Sequence, residues 1–260
     1  MDKTVASAEL AVRDVGHGIR LGVGGFGISG IPFDLIDALL HRGATDLEVV
    51  SNNCGLDDVG LGLLLSAGRI RRMIASYVGE NKEFARRYLG GELDVELTPQ
   101  GTLAERLRAG GSGIPAFYTL AGVGTQVADG GLPWRYAPDG SVALASPPKE
   151  VREFGGRQYV LEQSIVCDFS LVRAARGDRH GNLVFHESAR NFGPLVAMAG
   201  QVTIAEVEEL VEPGEIDPDQ VHTPGIFVQR VVQAVPREKP IEKRTTRPRA
   251  GEAAQGKGAQ

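Results

Sequence analysis

Cysteine is nearly missing from this chain of 260 residues: Cys54 and Cys167 are the two it has, far apart in sequence. A globular chain of this size buries roughly 70–75% of its unfolded surface and needs no covalent staple. The scarcity excludes a disulfide scaffold and points to a reducing compartment, so the expected location is cytoplasmic. No apolar run approaches the ~18 residues of a membrane-spanning helix. Asp2, Glu9 and Asp14 fit neither a signal peptide nor a transit peptide. An excess of positive charge is also absent: 28 Lys and Arg stand against 33 Asp and Glu, a net −5 that argues against nucleic acid as a partner. Histidine is sparse, with His17, His41, His180, His186 and His222 scattered along the chain. His186-Glu187 opens an H-E-x-x-H pattern, but Arg190 takes its fifth place, so no zinc helix and no metal site is expected.

Glycine, by contrast, is abundant at 35 residues, and it is densest in Gly22-Val-Gly-Gly-Phe-Gly-Ile-Ser-Gly-Ile-Pro32. The stretch follows the apolar run Ile19 to Val23 and precedes a helical pattern from Pro32 to His41, so it reads as strand, glycine turn, helix. Glycines let the backbone approach a ligand closely, and a helix N-terminus with free N–H groups attracts phosphate. Two overlapping matches to G-x-G-x-x-G suggest a dinucleotide. The acid such a site wants at the end of the second strand is missing, because Leu47 to Ser51 ends in Asn52-Asn53. A structural tight turn is the plainer alternative.

Short β-rich runs alternate with helical ones. Strands are expected at Ile19–Val23, Leu47–Ser51, Ile70–Tyr77, Val95–Thr98, Tyr159–Glu162, Phe169–Ala174, Leu183–Phe185 and Gln201–Val207. Helices are expected at Val5–Val15, Pro32–His41 with Gly43 as its stop, Asn81–Leu89 and Thr102–Ala109. A helix or turn is expected at Gly60–Ala67, and a helical turn at Val196–Gly200. The alternation predicts an α/β fold, an open and mostly parallel sheet with helices on both faces. Residues 110 to 156 are rich in Gly and Pro and read as loops, with a small hairpin around Gly140. Everything past Ile241 reads as a flexible tail, first basic and then small and polar. No internal repeat and no domain boundary is visible.

The chemistry-bearing residues do not close into a catalytic set. Cys54 has no local histidine to act as base, so a buried or incidental thiol is the favoured reading. Glu206, Glu208 and Glu209 read as a solvated face at a strand end. Glu80 follows the third strand at the edge where parallel sheets carry ligands, and is either a site residue or a surface cap. Gln100, in Thr98-Pro99-Gln100-Gly101-Thr102, holds a neutral amide at another strand end. It is either an oxyanion donor or part of a turn.

Gly24-Gly25-Phe26 followed by Gly30-Ile31-Pro32 resembles the opening signature of the first of the two subunit types of the family I CoA-transferases. Ser76-Tyr-Val-Gly-Glu-Asn81, Glu96-Leu-Thr-Pro-Gln-Gly-Thr-Leu-Ala-Glu-Arg106 and Ile114-Pro-Ala-Phe-Tyr-Thr119 are similar to the succinyl-CoA:3-oxoacid branch of that family. So are Gly181-Asn-Leu-Val-Phe185, Ala189-Arg-Asn-Phe192 and His222-Thr-Pro-Gly225, and the likeness runs from about residue 4 to 243. It departs at His17, where the family has Asp or Asn, and at Gly22, where it has an apolar residue.

The resemblance implies a fold shared with sugar-phosphate isomerases and a CoA-transferase domain over residues 1–240, with 241–260 as the tail. It implies ping-pong transfer of CoA from succinyl-CoA to acetoacetate through a glutamyl-CoA thioester, with no metal or cofactor beyond the substrate coenzyme A. The nucleophilic glutamate is implied on the second CoA-transferase subunit, the partner of this one in a heterodimer or heterotetramer. Here Ser51-Asn52-Asn53-Cys54-Gly55 places Asn52 where that glutamate would stand. The implied CoA site is Gly24, Gly25, Phe26, Gly27, Ile28, Ser29 and Gly30. Gln100 is the implied carbonyl or oxyanion donor, and Asn52, Asn53, Glu80 and Phe117 line the implied cleft. The corresponding chain of a 3-oxoadipate CoA-transferase is the near alternative. A sugar-phosphate isomerase relative and a non-enzymatic acyl-CoA-binding protein are the distant ones.

Overall fold

The computed structural model describes residues 1–238 and Pro240. Its main sheet has eight strands. These are β1 (Arg20–Val23), β2 (Leu47–Val50), β3 (Ile70–Ala75), β4 (Asp94–Leu97), β10 (Cys167–Asp178), β11 (Leu183–Val184), β12 (Gly200–Val211) and β13 (Arg230–Gln233). The order is β13-β12-β10-β1-β2-β3-β4, all parallel, with β11 antiparallel along β10. The strand order turns back at β1. Later strands up to β4 extend to one side of it, and β10, β12 and β13 extend to the other. Ligands of such sheets sit outside the carboxyl ends of the strands at that reversal.

Adjacent strand residues face opposite ways, and both faces are covered, so apolar residues stand side by side along the strands. Val49 and Met73 pack into one core with Leu35, Ile36 and Leu39 of α2 (Phe33–Arg42), Leu64 of α3 (Leu61–Ser66) and Phe84 of α4 (Lys82–Leu89). Their neighbours Val50 and Ile74 pack into the other with Leu103 and Leu107 of α5 (Gln100–Gly111) and Val196 of α7 (Gly193–Ala199). Each fully buried side chain of this kind stabilises the fold by about 1.5–3 kcal/mol.

Between α5 and β10 the chain builds a smaller antiparallel sheet, ordered β5 (Ala116–Thr119), β9 (Arg157–Gln163), β8 (Val151–Phe154), and a hairpin of β6 (Pro133–Tyr136) with β7 (Val142–Ala145). The hairpin turns at Gly140, as the sequence suggests. The sequence shows neither β5, β8 nor the short α6 (Gln126–Asp129), because glycines and prolines around them mask the periodicity. Arg106 fastens this region to the main sheet, pairing with Glu96 at 2.6 Å and donating to the Gln163 carbonyl at 2.8 Å.

The helix expected over Val5–Val15 shrinks to α1 (Ala8–Ala11), capped by Ser7. Arg230 explains the shortfall: it grips both oxygens of Asp14 at 2.6 Å and also donates to the Ala11 carbonyl, so the chain is drawn onto β13. The tail expected from residue 241 onward lies outside the described residues.

Candidate active site

The loop after β1 is held by its backbone. Gly24 donates to the Leu171 carbonyl at 2.9 Å, and Phe26 and Ser29 exchange two bonds of 3.0 and 2.9 Å, closing a tight hairpin. Gly25, at φ +116°, and Gly30, at φ +75°, bracket it in a backbone conformation that side chains resist. A Cβ on Gly30 would come within 2.6 Å of the Ala189 carbonyl oxygen. The loop after β2 is built alike. Leu56 and Val59 exchange bonds of 3.3 and 3.4 Å between Gly55 and Gly60, both at positive φ. The second loop is clamped, with Asp57 accepting from the Glu83 amide at 2.9 Å at the start of α4. The local likeness of these two turns is hidden in sequence, because only the flanking glycines match.

A cleft of about 1040 Å³ opens over the carboxyl ends of the parallel strands. Phe26, Gly27, Ile28, Ser29 and Gly30 line it from β1, and Asn53 from β2. Ser76, Tyr77 and Glu80 line it after β3, and Gln100 after β4. Gln100 is the first residue of α5, two residues earlier than the helix start expected from sequence, so it sits on a rigid element rather than in a turn. Its Nε2 donates to Asn52 Oδ1 at 3.3 Å, Asn52 Nδ2 donates to Asn53 Oδ1 at 3.3 Å, and Gly27 N donates to the same oxygen at 3.0 Å. Three of the residues singled out from sequence are thereby joined to the glycine loop. Asn52 is fully buried beneath the cleft and does not line it. Gly24 and Gly25 are also buried, shaping the loop from below. Phe117 stands on β5 opposite Glu162, in the small sheet, and does not line the cleft of this chain.

The phosphate seat expected at the start of α2 is filled by the protein itself. Glu206 Oε2 accepts from Asp34 N at 2.8 Å and Leu35 N at 3.1 Å, while Phe33 N donates to the Ile31 carbonyl. Glu206 is therefore no solvated residue: it is wholly buried, with its other oxygen on Arg173 Nη1. Burial pushes its carboxyl up to about 7 and Asp34 adds to the rise, while Arg173 and the two amides oppose it. Arg173 also contacts Glu208 at 3.2 Å and lies over the Phe33 ring at 5.9 Å, at the cleft wall. Asp34 extends the cluster, accepting from Val235 N at 2.6 Å and pairing with Arg237.

The match to the coenzyme A transferase family model runs over residues 5–234. The chain belongs to that family. It is 67% identical to a probable succinyl-CoA:3-ketoacid coenzyme A transferase subunit from Mycobacterium bovis, over 95% of this chain and 100% of that one. It is 53% identical to the human mitochondrial succinyl-CoA:3-ketoacid coenzyme A transferase 2, covering 90% of this chain but 45% of the human protein. An acyl-CoA transferase of Escherichia coli O157:H7, solved as a thioester complex with CoA, superposes with a TM-score of 0.75 at 23% identity. That match covers 90% of this chain and 47% of the bacterial one, so this chain spans about half of either longer relative.

As a coenzyme A transferase chain, the molecule brings amide donors and a glycine loop to one strand edge, with a buried ion pair behind them. The sequence reading missed Ser76, Tyr77, Arg173 and Glu206. The last two carried a signal: Arg173 and Glu206 are charges inside apolar runs of strands covered on both faces, and they stand directly opposite in register. His186 and Phe185 also line the cleft, and the Phe185 amide donates to His222 Nδ1 at 3.0 Å. Cys54 is fully buried, in line with the plainer reading, and burial pushes its thiol far up. No helix among the described residues is long and apolar enough to cross a membrane.

Proposed function

We propose that this chain is the first of two subunit types in an enzyme moving CoA from succinyl-CoA to a 3-oxoacid such as acetoacetate. The observation that carries the reading is the pairing of Gln100 with the glycine loop through Asn52 and Asn53 at one edge of the cleft. The partner contributes a glutamate that attacks the succinyl thioester, expelling CoA thiolate and leaving a mixed anhydride. The thiolate then attacks the glutamyl carbonyl, releasing succinate and leaving a glutamyl-CoA thioester. The carboxylate of the 3-oxoacid reverses the sequence. Each tetrahedral intermediate carries an oxyanion, and the second Gln100 N–H serves it; such a donor contributes about 2.7–4 kcal/mol, or 10²–10³ in kcat.

Two features support the division of labour. Asn52 stands at the end of β2 where the resemblance puts the nucleophile, and its carboxamide is already engaged beneath the cleft floor. The longer human and E. coli chains are about twice the length of the part matched here, leaving room for a second unit. Because Glu206 fills the start of α2, the loop grips the acyl and thioester end of the substrate rather than its phosphates. The reaction so drawn needs no cofactor besides the substrate coenzyme A. Two buried, unpaired cysteines suit a reducing cytoplasm.

The test is co-expression with the glutamate-bearing partner, incubation with succinyl-CoA, borohydride trapping and peptide mass spectrometry. Label on a partner glutamate is expected. Label on Glu80 or Glu208 of this chain, both at the cleft, overturns the assignment of roles. Rates with acetoacetate and 3-oxoadipate in the same heteromer identify the acceptor. Gln100→Ala is expected to lower kcat by about 10²–10³ with the heteromer intact, and an unchanged kcat removes Gln100 from the site.

A further inference from the structure

We infer that Asn53 and Asn52 form a relay that fixes which end of the Gln100 amide is turned toward the reacting carbonyl, a role resting on the reading of Gln100 as the oxyanion donor. A carboxamide has a donor end and an acceptor end of nearly equal shape, so something must break the tie. Here the tie is broken by a group with no choice. A backbone N–H can only donate, and Gly27 N points at Asn53 from 3.0 Å, so that end of Asn53 is its oxygen. The same oxygen faces Asn52 at 3.3 Å, so the Asn52 atom there is its nitrogen.

Asn52 Oδ1 is then left on the far side, where it accepts from Ser76 Oγ at 2.7 Å and from Gln100 at 3.3 Å. The Gln100 atom meeting an acceptor must be its nitrogen. One of its two protons is spent there and the other is left for the cleft, which Gln100 lines. Asn53 also borders the cleft.

Burial enforces the arrangement. Asn52 is 0% exposed and Asn53 4%, so neither amide can turn to water. Reversing Asn52 would set oxygen against oxygen at Asn53, leaving buried polar groups unmet, and would turn its nitrogen toward Gln100. Asn52 touches no substrate; it is a positioning residue. The relay also ties Gln100 to the glycine loop, because its first link is the Gly27 amide.

The experiment is a double-mutant cycle in the assembled heteromer, reading kcat and KM for succinyl-CoA. Asn52→Ala is expected to lower kcat between about tenfold and 10²-fold, the effect of a misplaced group, with KM little changed. In a Gln100→Ala background the same substitution should lower kcat no further. Ser76→Ala, which removes the shortest bond to Asn52 Oδ1, covers the case in which Asn52→Ala does not assemble. It should show a smaller fall in kcat that likewise vanishes without Gln100. Losses that multiply with Gln100→Ala, or that fall on KM alone, overturn the relay. An impaired Gln100→Ala beside unimpaired Asn52 and Ser76 variants overturns the relay while leaving the donor role standing. A wild-type kcat for Gln100→Ala overturns both.

Discussion

Replacing Glu206 by alanine removes three interactions from a place that water does not reach. Arg173, 8% exposed, loses its buried partner, and the amides of Asp34 and Leu35 lose their acceptor at the start of α2. Breaking a buried ion pair from one side costs about 3–5 kcal/mol, and each unmet buried amide about 1–3 kcal/mol. The terms overlap, because α2 can settle once the carboxylate is gone and Arg173 keeps Glu208 at 3.2 Å. The ion-pair figure is therefore the working value, a loss of about 3–5 kcal/mol. For a chain of this size that lowers Tm by roughly 6–20 °C. Glu206→Gln separates the parts. Its carbonyl oxygen still accepts from both amides, so only the buried half of the Arg173 charge pairing is lost and a smaller loss is expected. Urea unfolding followed by circular dichroism measures both. A loss below about 1 kcal/mol for Glu206→Ala, the least that even one unmet buried amide costs, or equal losses for the two variants, would refute the view that this carboxylate caps α2.

Gly30→Ala should destabilise by about 1–3 kcal/mol, since it combines an unfavourable φ of +75° with a contact of 2.6 Å to the Ala189 carbonyl; a thermal melt checks it, and a neutral result shows that the loop can move away. His222 is held below its ordinary value, first by burial and then by the Arg190 charge, and its Nδ1 must be unprotonated to accept the Phe185 amide. A depressed folded-state pKa means the unfolded chain binds the proton more readily. The contribution of His222 to stability is thus complete above its unfolded value of about 6.5 and is lost as pH falls through the folded one. Imidazole NMR titration should place that folded value below the unfolded one, and a value above it reverses the sign.

Seven of the eight strands of the main sheet were legible because apolar residues cluster in strands covered on both faces; the short edge strand β13, Arg-Val-Val-Gln, was not. Gly43 shows the local logic at its clearest, ending α2 at φ +81° with its amide on Leu39 and Leu40. Of the small sheet only β9 was legible, at Tyr159–Glu162; all four residues of β8 are exposed, so no apolar run marks it. The glycine loop, Asn53, Glu80 and Gln100 did converge on one cleft, since all follow strands of a parallel sheet at the same end. What sequence could not reveal was the use of the polar residues beneath. Glu206 opens an acidic run with Glu208 and Glu209 that reads as solvated, and only its register against Arg173 brings it inside. Asn52 and Asn53 are neighbours in sequence, yet one holds the other from below, a difference fixed by strand pleating and the turn that follows.

The paired turns Gly25–Gly30 and Gly55–Gly60 give the site a property useful to anyone redesigning it. Both frames begin and end on glycines of the same backbone hand and close on the same two bonds, so the backbone is a common chassis. What separates a cleft wall from a structural clamp is written in four residues, Phe26-Gly27-Ile28-Ser29 against Leu56-Asp57-Asp58-Val59. The cleft wall is therefore open to change by exchange of Ile28 and Ser29 side chains on a fixed frame, while Gly27 is reserved, because its amide anchors Asn53.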